Sequence, residues 1–136
     1  SSIVKYVSVI ERLFFGIRSN DRKKTFANRI ASVLKAFGCD EDVSAHKKAC
    51  KVYQDRSNFL HGEYSPTKDV EEKIVRDAEN LSRMCLLCSA QLYPMMLQAF
   101  GNPDSVKLDE VMSRISIEGV DWLAKAAGYS ILTSER

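Results

Sequence analysis

The chain has 136 residues, of which 45% are hydrophobic and 28% charged. This is the composition of an ordinary globular domain, and it excludes disordered, collagen-like and disulfide-rich proteins. No apolar run reaches the roughly 18 residues that a membrane span requires, and no signal peptide is visible, so we expect a cytoplasmic protein without membrane contact. The chain opens with Ser1-Ser2 rather than Met, from which we expect further protein upstream.

Charge is divided unevenly along the chain. Residues 1–56 carry 12 Lys or Arg and 6 Asp or Glu, a net charge of +6, whereas residues 57–136 carry 8 and 12, a net charge of −4. A basic first half is compatible with a phosphate backbone as partner and also with an ordinary solvated surface.

Two apolar stripes at helical spacing open the chain. The first indicates a helix that Gly16 and Ser19-Asn20 end, and the second a helix that Asp21 or Asn20 caps and Gly38 ends. The stripes are Ile3, Val7, Ile10, Phe14 and Ile17, then Phe26, Ile30, Val33 and Phe37.

The third predicted helix carries an arginine on its apolar face. It begins at a cap on Ser44, and Gly62 ends it with His61 in the last turn. The face consists of Ala45, Ala49, Val52, Arg56 and Phe59. A buried arginine requires hydrogen-bonding partners or a charged ligand.

A fourth, long helix shows the most regular pattern of the chain. Asp69 and Glu72 resemble a capping box at its start, and Pro94 should kink it or split off its last turns. Its stripe spans about 45 Å at about 1.5 Å per residue. The stripe is Val70, Ile74, Ala78, Leu81, Cys85, Cys88, Leu92, Met95 and Ala99.

Two of the four cysteines, Cys85 and Cys88, form a CxxC pair. A zinc site needs two more ligands at suitable spacing, and the sequence offers no second pair. Since both residues also lie on the apolar stripe, we expect buried, reduced thiols, no metal and no cofactor.

Beyond a break at residues 101–104, apolar spacing predicts two short helices, around residues 108–115 and 120–127. The fold prediction is therefore all-α, a four-helix bundle over residues 1–100. A short helical C-terminal extension, residues 101–136, should pack on the same domain.

Arg56 and His61 are the two side chains that best suit chemistry. Arginine matches a phosphate with a rigid fork of donors, and histidine exchanges protons near neutral pH. A structural interpretation stands beside this one, in which His61 interacts with the helix dipole and Arg56 pairs with Asp55 or Glu63. On a regular helix the two side chains lie about 140° apart, so they converge only through a distortion or a second subunit.

The segment Tyr53-Gln54-Asp55-Arg56-Ser57-Asn58-Phe59-Leu60-His61-Gly62 resembles the Y-x-x-R-S-x-x-x-H-G signature of HEPN domains, in particular the Apea-like branch. The run at residues 26–34, with Arg29, is also similar to that branch. The resemblance covers roughly residues 3–100 and implies an HEPN-like four-helix bundle that forms a homodimer. Two R-x4-H motifs would then meet across the dimer in one metal-independent ribonuclease site.

From this resemblance we expect an endoribonuclease in which Arg56 and His61 are catalytic. Ser57 and Asn58 would orient them, Arg29 would add charge, and the RNA backbone would lie on Lys47, Lys48 and Lys51. Relatives act in toxin–antitoxin and defence systems, so an antitoxin or an upstream domain is a possible partner. The alternative is a non-catalytic HEPN interaction, dimerisation or nucleotide-binding module of a larger defence or regulatory protein.

Overall fold

A computed structural model of the chain describes residues 2–16, 21–62, 66–102 and 104–128. Over these ranges all regular secondary structure is α-helical, which confirms the prediction of an all-α protein. The helices are α1 (Ser2–Phe14), α2 (Arg22–Ala36), α3 (Asp42–Leu60), α4 (Lys68–Phe100), α5 (Ser105–Glu118) and α6 (Asp121–Ala126).

The apolar stripes of the helices meet in one core. α2 packs along α3 and α1 packs against α4, while α5 rests on α2 and α6 on α4. The largest side chains buried there include Phe14, Phe26, Ile10, Ile30, Leu34, Leu81, Leu92, Met96, Met112 and Leu123. Close packing of such residues is the main source of stability for a bundle of this kind.

Helix starts depart from the sequence prediction at two places. α3 begins at Asp42, with Glu41 as the residue before its first turn, so the predicted cap at Ser44 was wrong. The hydroxyl of Ser44 instead donates to Asp40 (3.3 Å). The N-cap Asp21 of α2 agrees with the prediction, although its side chain accepts no capping hydrogen bond.

The start of α4 shows why the predicted capping box was wrong. Thr67 has extended backbone angles, and its hydroxyl oxygen accepts the backbone N–H of Val70. Asp69 is therefore the second residue of α4, where its negative charge still interacts favourably with the positive end of the helix dipole. Val70 itself is 42% exposed, so the buried stripe of α4 begins one turn later, at Ile74.

α4 continues through Pro94 to Phe100, a total of 33 residues and about 50 Å. Of the two outcomes predicted for Pro94, a kink or a separation of the last turns, the separation was wrong. The exposed Pro94 ring lies next to Tyr93, whose hydroxyl donates to the carbonyl oxygen of Leu13 and ties this part of α4 to α1. No helix in the described ranges has both the length and the apolar character needed to cross a bilayer.

Gly16 is the point at which the end of α1 meets α5. Its backbone N–H donates to Asp109 (3.0 Å). A Cβ built on Gly16 would lie 1.9 Å from the carbonyl oxygen of Ser105. Only glycine permits this approach, because backbone atoms cannot give way as the end of a flexible side chain can.

We expect Gly16→Ala to lower the free energy of unfolding by about 3 kcal/mol, since α5 must move away from α1 to admit the methyl group. Gly38→Ala is the matched control. Gly38 has φ 69° and open space around it, and its hydrogen bonds are those of a left-handed turn at the end of α2, so alanine there should cost only about 1 kcal/mol of backbone strain. Chemical denaturation of both variants measures the difference, and equal losses would contradict the proposed clash.

Candidate functional site

The α2–α3 hairpin brings the start of α2 beside the end of α3. The connection over residues 37–41 is short, so the two helices run antiparallel. Lys23 in the first turn of α2 donates to the side chain of Gln54 in α3 (3.0 Å). One turn further along α2, the rings of Phe26 and Tyr53 lie 5.1 Å apart. The predicted motif, at the end of α3, therefore has the basic start of α2 as its neighbour.

Arg56 is held by a carboxylate of its own chain. One of its terminal nitrogens donates to Glu11 of α1 (3.0 Å), and its guanidinium lies 5.2 Å from the ring centre of Tyr53. The side chain is 20% exposed, as its position on the apolar face predicts. Its Nε–H is buried and has no hydrogen-bond partner among the described residues.

Neither carboxylate proposed from sequence as a partner is seen to pair with Arg56. Asp55 bonds to Lys51 (2.8 Å), and Glu63 lies outside the described residues. Adjacent residues point to different sides of a helix, so Asp55 faces away from Arg56. The partner, Glu11, comes from another helix.

Glu11 also binds a second arginine. The guanidinium of Arg22 contacts the other carboxylate oxygen of Glu11 at 2.5 Å. We call Arg22 and Arg56 the arginine pair. Two guanidiniums share a single carboxylate, so the cluster has a net charge of +1, and Lys23 and Lys24 follow directly on α2.

His61 lies at the end of the same helix in a different environment. It is the C-cap of α3 and is exposed; its backbone N–H donates to the carbonyl oxygen of Ser57 (3.1 Å). Gly62 follows with φ 66°, the left-handed conformation that typically ends a helix. No described residue hydrogen-bonds to the imidazole, which is therefore open to a ligand.

Within one chain, Arg56 and His61 do not share a face. α3 is regular through Leu60, and a regular helix turns by about 100° per residue, so the step from Arg56 to His61 is a rotation of about 140°. Arg56 points toward α1, and His61 projects into solvent. The helical distortion that could have joined them is absent from the described part of α3.

Among the described residues, neither the hydroxyl of Ser57 nor the amide of Asn58 hydrogen-bonds to the side chain of Arg56 or His61. The amide oxygen of Asn58 accepts from Gln54 (3.0 Å), which in turn accepts from Lys23. Ser57 contributes its backbone carbonyl to the end of the helix. Asn58 is therefore linked to the basic start of α2 rather than to the arginine or the histidine.

Arg29 has a structural role between three helices. It donates to the carbonyl oxygen of Phe14 (2.6 Å) and to Asp109 (2.8 Å), and it lies 4.9 Å from the ring centre of Phe15. Its side chain is only 13% exposed. Asp109 therefore neutralises the charge of Arg29 at the junction of α1, α2 and α5.

The three lysines predicted to hold RNA are exposed, but two of them are engaged. Lys48 pairs with Asp40, and Lys51 pairs with Asp55. The hydrogen bond from Lys48 lowers the pKa of Asp40 below its ordinary value. Lys48 and Lys51 line a groove of about 370 Å³ between α3 and α4 together with Lys73. They therefore lie on the α4 side of α3, whereas Lys23 lies on the α2 side.

Sequence reasoning missed Glu11, Arg22 and Lys23. One signal was available, the run Arg22-Lys23-Lys24 at the predicted start of α2. Two helices joined by a short connection run antiparallel, so the start of the first lies beside the end of the second. This geometry predicts Lys23, rather than Lys47, near the end of α3. Glu11 gave no such signal, because it is one acidic residue on the flank of an apolar helix.

Cys85 and Cys88 are buried in the core, as their stripe predicts. Burial raises the pKa of Cys85 far above its ordinary value and that of Cys88 to about 12. The sulfur of Cys39 lies 3.4 Å from that of Cys88. In the described residues no group of three or more Cys, His, Asp or Glu has an arrangement that could hold a metal ion.

No protein-family model, curated protein sequence or solved structure matches this chain.

Proposed function

We propose that this protein is an HEPN-type, metal-independent endoribonuclease that acts as a homodimer through Arg56 and His61. The observation that carries the proposal is the arginine pair. Two guanidiniums share one carboxylate at the end of α3, and the exposed His61 closes the same helix. Net positive charge beside an available imidazole suits a phosphodiester substrate.

The arginine pair provides the electrostatic part of the site. Glu11 neutralises one of its two charges and accepts one of the five N–H donors of Arg56. Charge that develops on a phosphate in the transition state would be stabilised by Arg56, which Tyr53 and Glu11 hold in place beforehand. Lys23 and Lys24 at the start of α2 extend the positive surface along which an RNA backbone can lie.

His61 would move the protons. As a base it takes the proton of the 2′-hydroxyl, whose oxygen attacks the phosphorus. The bond from phosphorus to the 5′-oxygen breaks, and a protonated imidazole supplies a proton to that leaving oxygen. The products are a 2′,3′-cyclic phosphate and a 5′-hydroxyl, and the reaction requires no metal ion.

The rotation of about 140° between Arg56 and His61 accounts for the homodimer in this proposal. One protomer presents the two side chains on different faces. A twofold axis near the end of α3 would bring a histidine of one protomer toward the arginine of the other. Two histidines at one site would also separate the base from the acid.

The second candidate is a non-catalytic interaction or nucleotide-binding module, and one observation favours it. Arg56 is four-fifths buried, and its carboxylate partner belongs to its own chain. In this interpretation the ion pair has no catalytic role and stabilises the packing of α1 against α3. In that case His61 contributes to the surface, and the partner is a protein or a nucleotide.

Incubation of the wild-type protein with a labelled structured RNA in EDTA tests the proposal. We expect cleavage, fragments with 2′,3′-cyclic phosphate ends, and a dimer by light scattering at the protein concentration used. Absence of cleavage of several RNAs by folded protein, or cleavage only after addition of a divalent metal, would refute the ribonuclease and favour the interaction module.

A further inference from the structure

Cys50, His46 and Asn28 form a hydrogen-bonded series on the face that α3 turns toward α2. The sulfur of Cys50 lies 3.6 Å from Nδ1 of His46, one helical turn earlier on α3. Nε2 of the same imidazole lies 3.1 Å from the amide oxygen of Asn28 on α2. Cys50 and His46 are half-buried and Asn28 is exposed, so the series opens to solvent.

The amide of Asn28 decides the direction of proton transfer. Its oxygen can only accept, so Nε2 of His46 must carry a proton and donate it. In the neutral imidazole Nδ1 is then the unprotonated nitrogen, and it faces the thiol of Cys50. The thiol can pass its proton to Nδ1, which leaves a thiolate beside an imidazolium that Asn28 holds in position.

No described residue provides such a base beside the other three cysteines. Cys85 and Cys88 are buried, and burial raises the pKa of both thiols. Cys39 is exposed, and the contacts of its sulfur are the sulfur of Cys88 and the carbonyl oxygen of Phe37. Since the thiolate is the reactive form of cysteine, Cys50 differs from the rest by its neighbour rather than by its exposure.

The position of Cys50 within α3 favours one class of reaction for its thiolate. It lies in the interior of α3, where each backbone N–H is hydrogen-bonded within the helix. No backbone donors are therefore free to stabilise the oxyanion of an acyl transfer. Attack on a disulfide generates no oxyanion and requires only a thiolate and a proton for the leaving thiol.

We propose that Cys50 is a reactive thiol that exchanges with low-molecular-weight disulfides, with His46 as its base and Asn28 as the positioning residue. The sulfur of Cys50 attacks one sulfur of the disulfide, and the sulfur–sulfur bond breaks. A mixed disulfide forms on Cys50. The leaving thiolate takes up the proton that His46 received, so one thiol is oxidised and one is released. This modification site does not depend on the proposed ribonuclease activity.

The test follows the reaction of fully reduced protein with oxidised glutathione at neutral pH by peptide mass mapping. In wild type, we expect Cys50 to react at least ten-fold faster than Cys39, with Cys39 counted as reacted whether it carries glutathione or is cross-linked to Cys88. His46→Gln should slow Cys50 at least ten-fold and leave the rate of Cys39 unchanged, which also shows that the fold is intact.

Asn28 provides the second arm. Asn28→Leu should slow Cys50 several-fold, and Asn28→Asp, which keeps an oxygen acceptor toward Nε2, should restore the rate. If Asn28 only stabilised the fold, Asn28→Asp would not restore the rate that Asn28→Leu lowers. The proposal is overturned if Cys50 reacts no faster than Cys39, or if His46→Gln leaves the rate of Cys50 unchanged.

Discussion

Replacement of His61 by alanine should lower the rate of RNA cleavage at least 100-fold and leave the thermal unfolding midpoint unchanged. General acid–base catalysis by one side chain contributes about 10²- to 10⁴-fold, which sets the expected loss. The imidazole is exposed at the C-cap of α3 and has no hydrogen-bond partner among the described residues, so its removal breaks no hydrogen bond in the described part of the chain. Cleavage in EDTA and a melting curve measure the two effects.

His46→Ala is the matched control for a general effect of histidine loss. His46 is on the same helix, but it bonds to Asn28 and Cys50 rather than facing the helix end, and we expect cleavage within about twofold of wild type. A His61→Ala protein that cleaves RNA at the wild-type rate would remove His61 from the mechanism. Loss of cleavage together with a lowered melting midpoint would assign His61 to the fold.

Replacement of Glu11 by glutamine should lower the free energy of unfolding by about 2 kcal/mol. The carboxylate is 12% exposed and contacts both members of the arginine pair. A glutamine at that position leaves two largely buried guanidiniums without a counter-charge, and it directs an N–H₂ group toward one of them. Removal of one partner of a fully buried ion pair costs about 3–5 kcal/mol, and partial exposure of Arg22 reduces that figure.

Glu110→Gln tests whether the loss at Glu11 is specific to the arginine pair. Glu110 pairs with Lys107 (3.1 Å), but it is 60% exposed, and surface pairs of this kind contribute about 0–1 kcal/mol. The expected difference between the two variants is therefore more than 1 kcal/mol in chemical denaturation. Equal stability of the two variants would show that solvent already screens the arginine pair.

Local patterns in the sequence were sufficient to predict the helices and most of the buried core residues. Ile3, Val7, Ile10 and Phe14 repeat at helical spacing, and all four are buried, because residues at this spacing occupy one face of a helix in any tertiary context. The same reasoning placed Cys85 and Cys88 in the core. It also placed Arg56 on a packing face, where it is four-fifths buried.

Helix starts were less predictable, because several residues near each start can cap it. Thr67 and Asp69 both have side chains that accept a backbone N–H, and Thr67 is the cap that the structure contains. The choice depends on the direction from which the chain enters the helix. Pro94 likewise allowed more than one outcome, and the packing of α4 on α1 keeps the helix continuous past it.

The sequence by itself determined which faces are apolar, that the protein is helical, and that Arg56 and His61 end one helix on different sides. Only the tertiary structure decided which polar side chains meet: Glu11 from α1 and Arg22 from α2 at Arg56, and Asn28 from α2 at His46. The physical reason is the range of the interactions. Helical periodicity acts over a few residues, whereas ion pairs and hydrogen bonds between helices depend on the packing of segments distant in the chain.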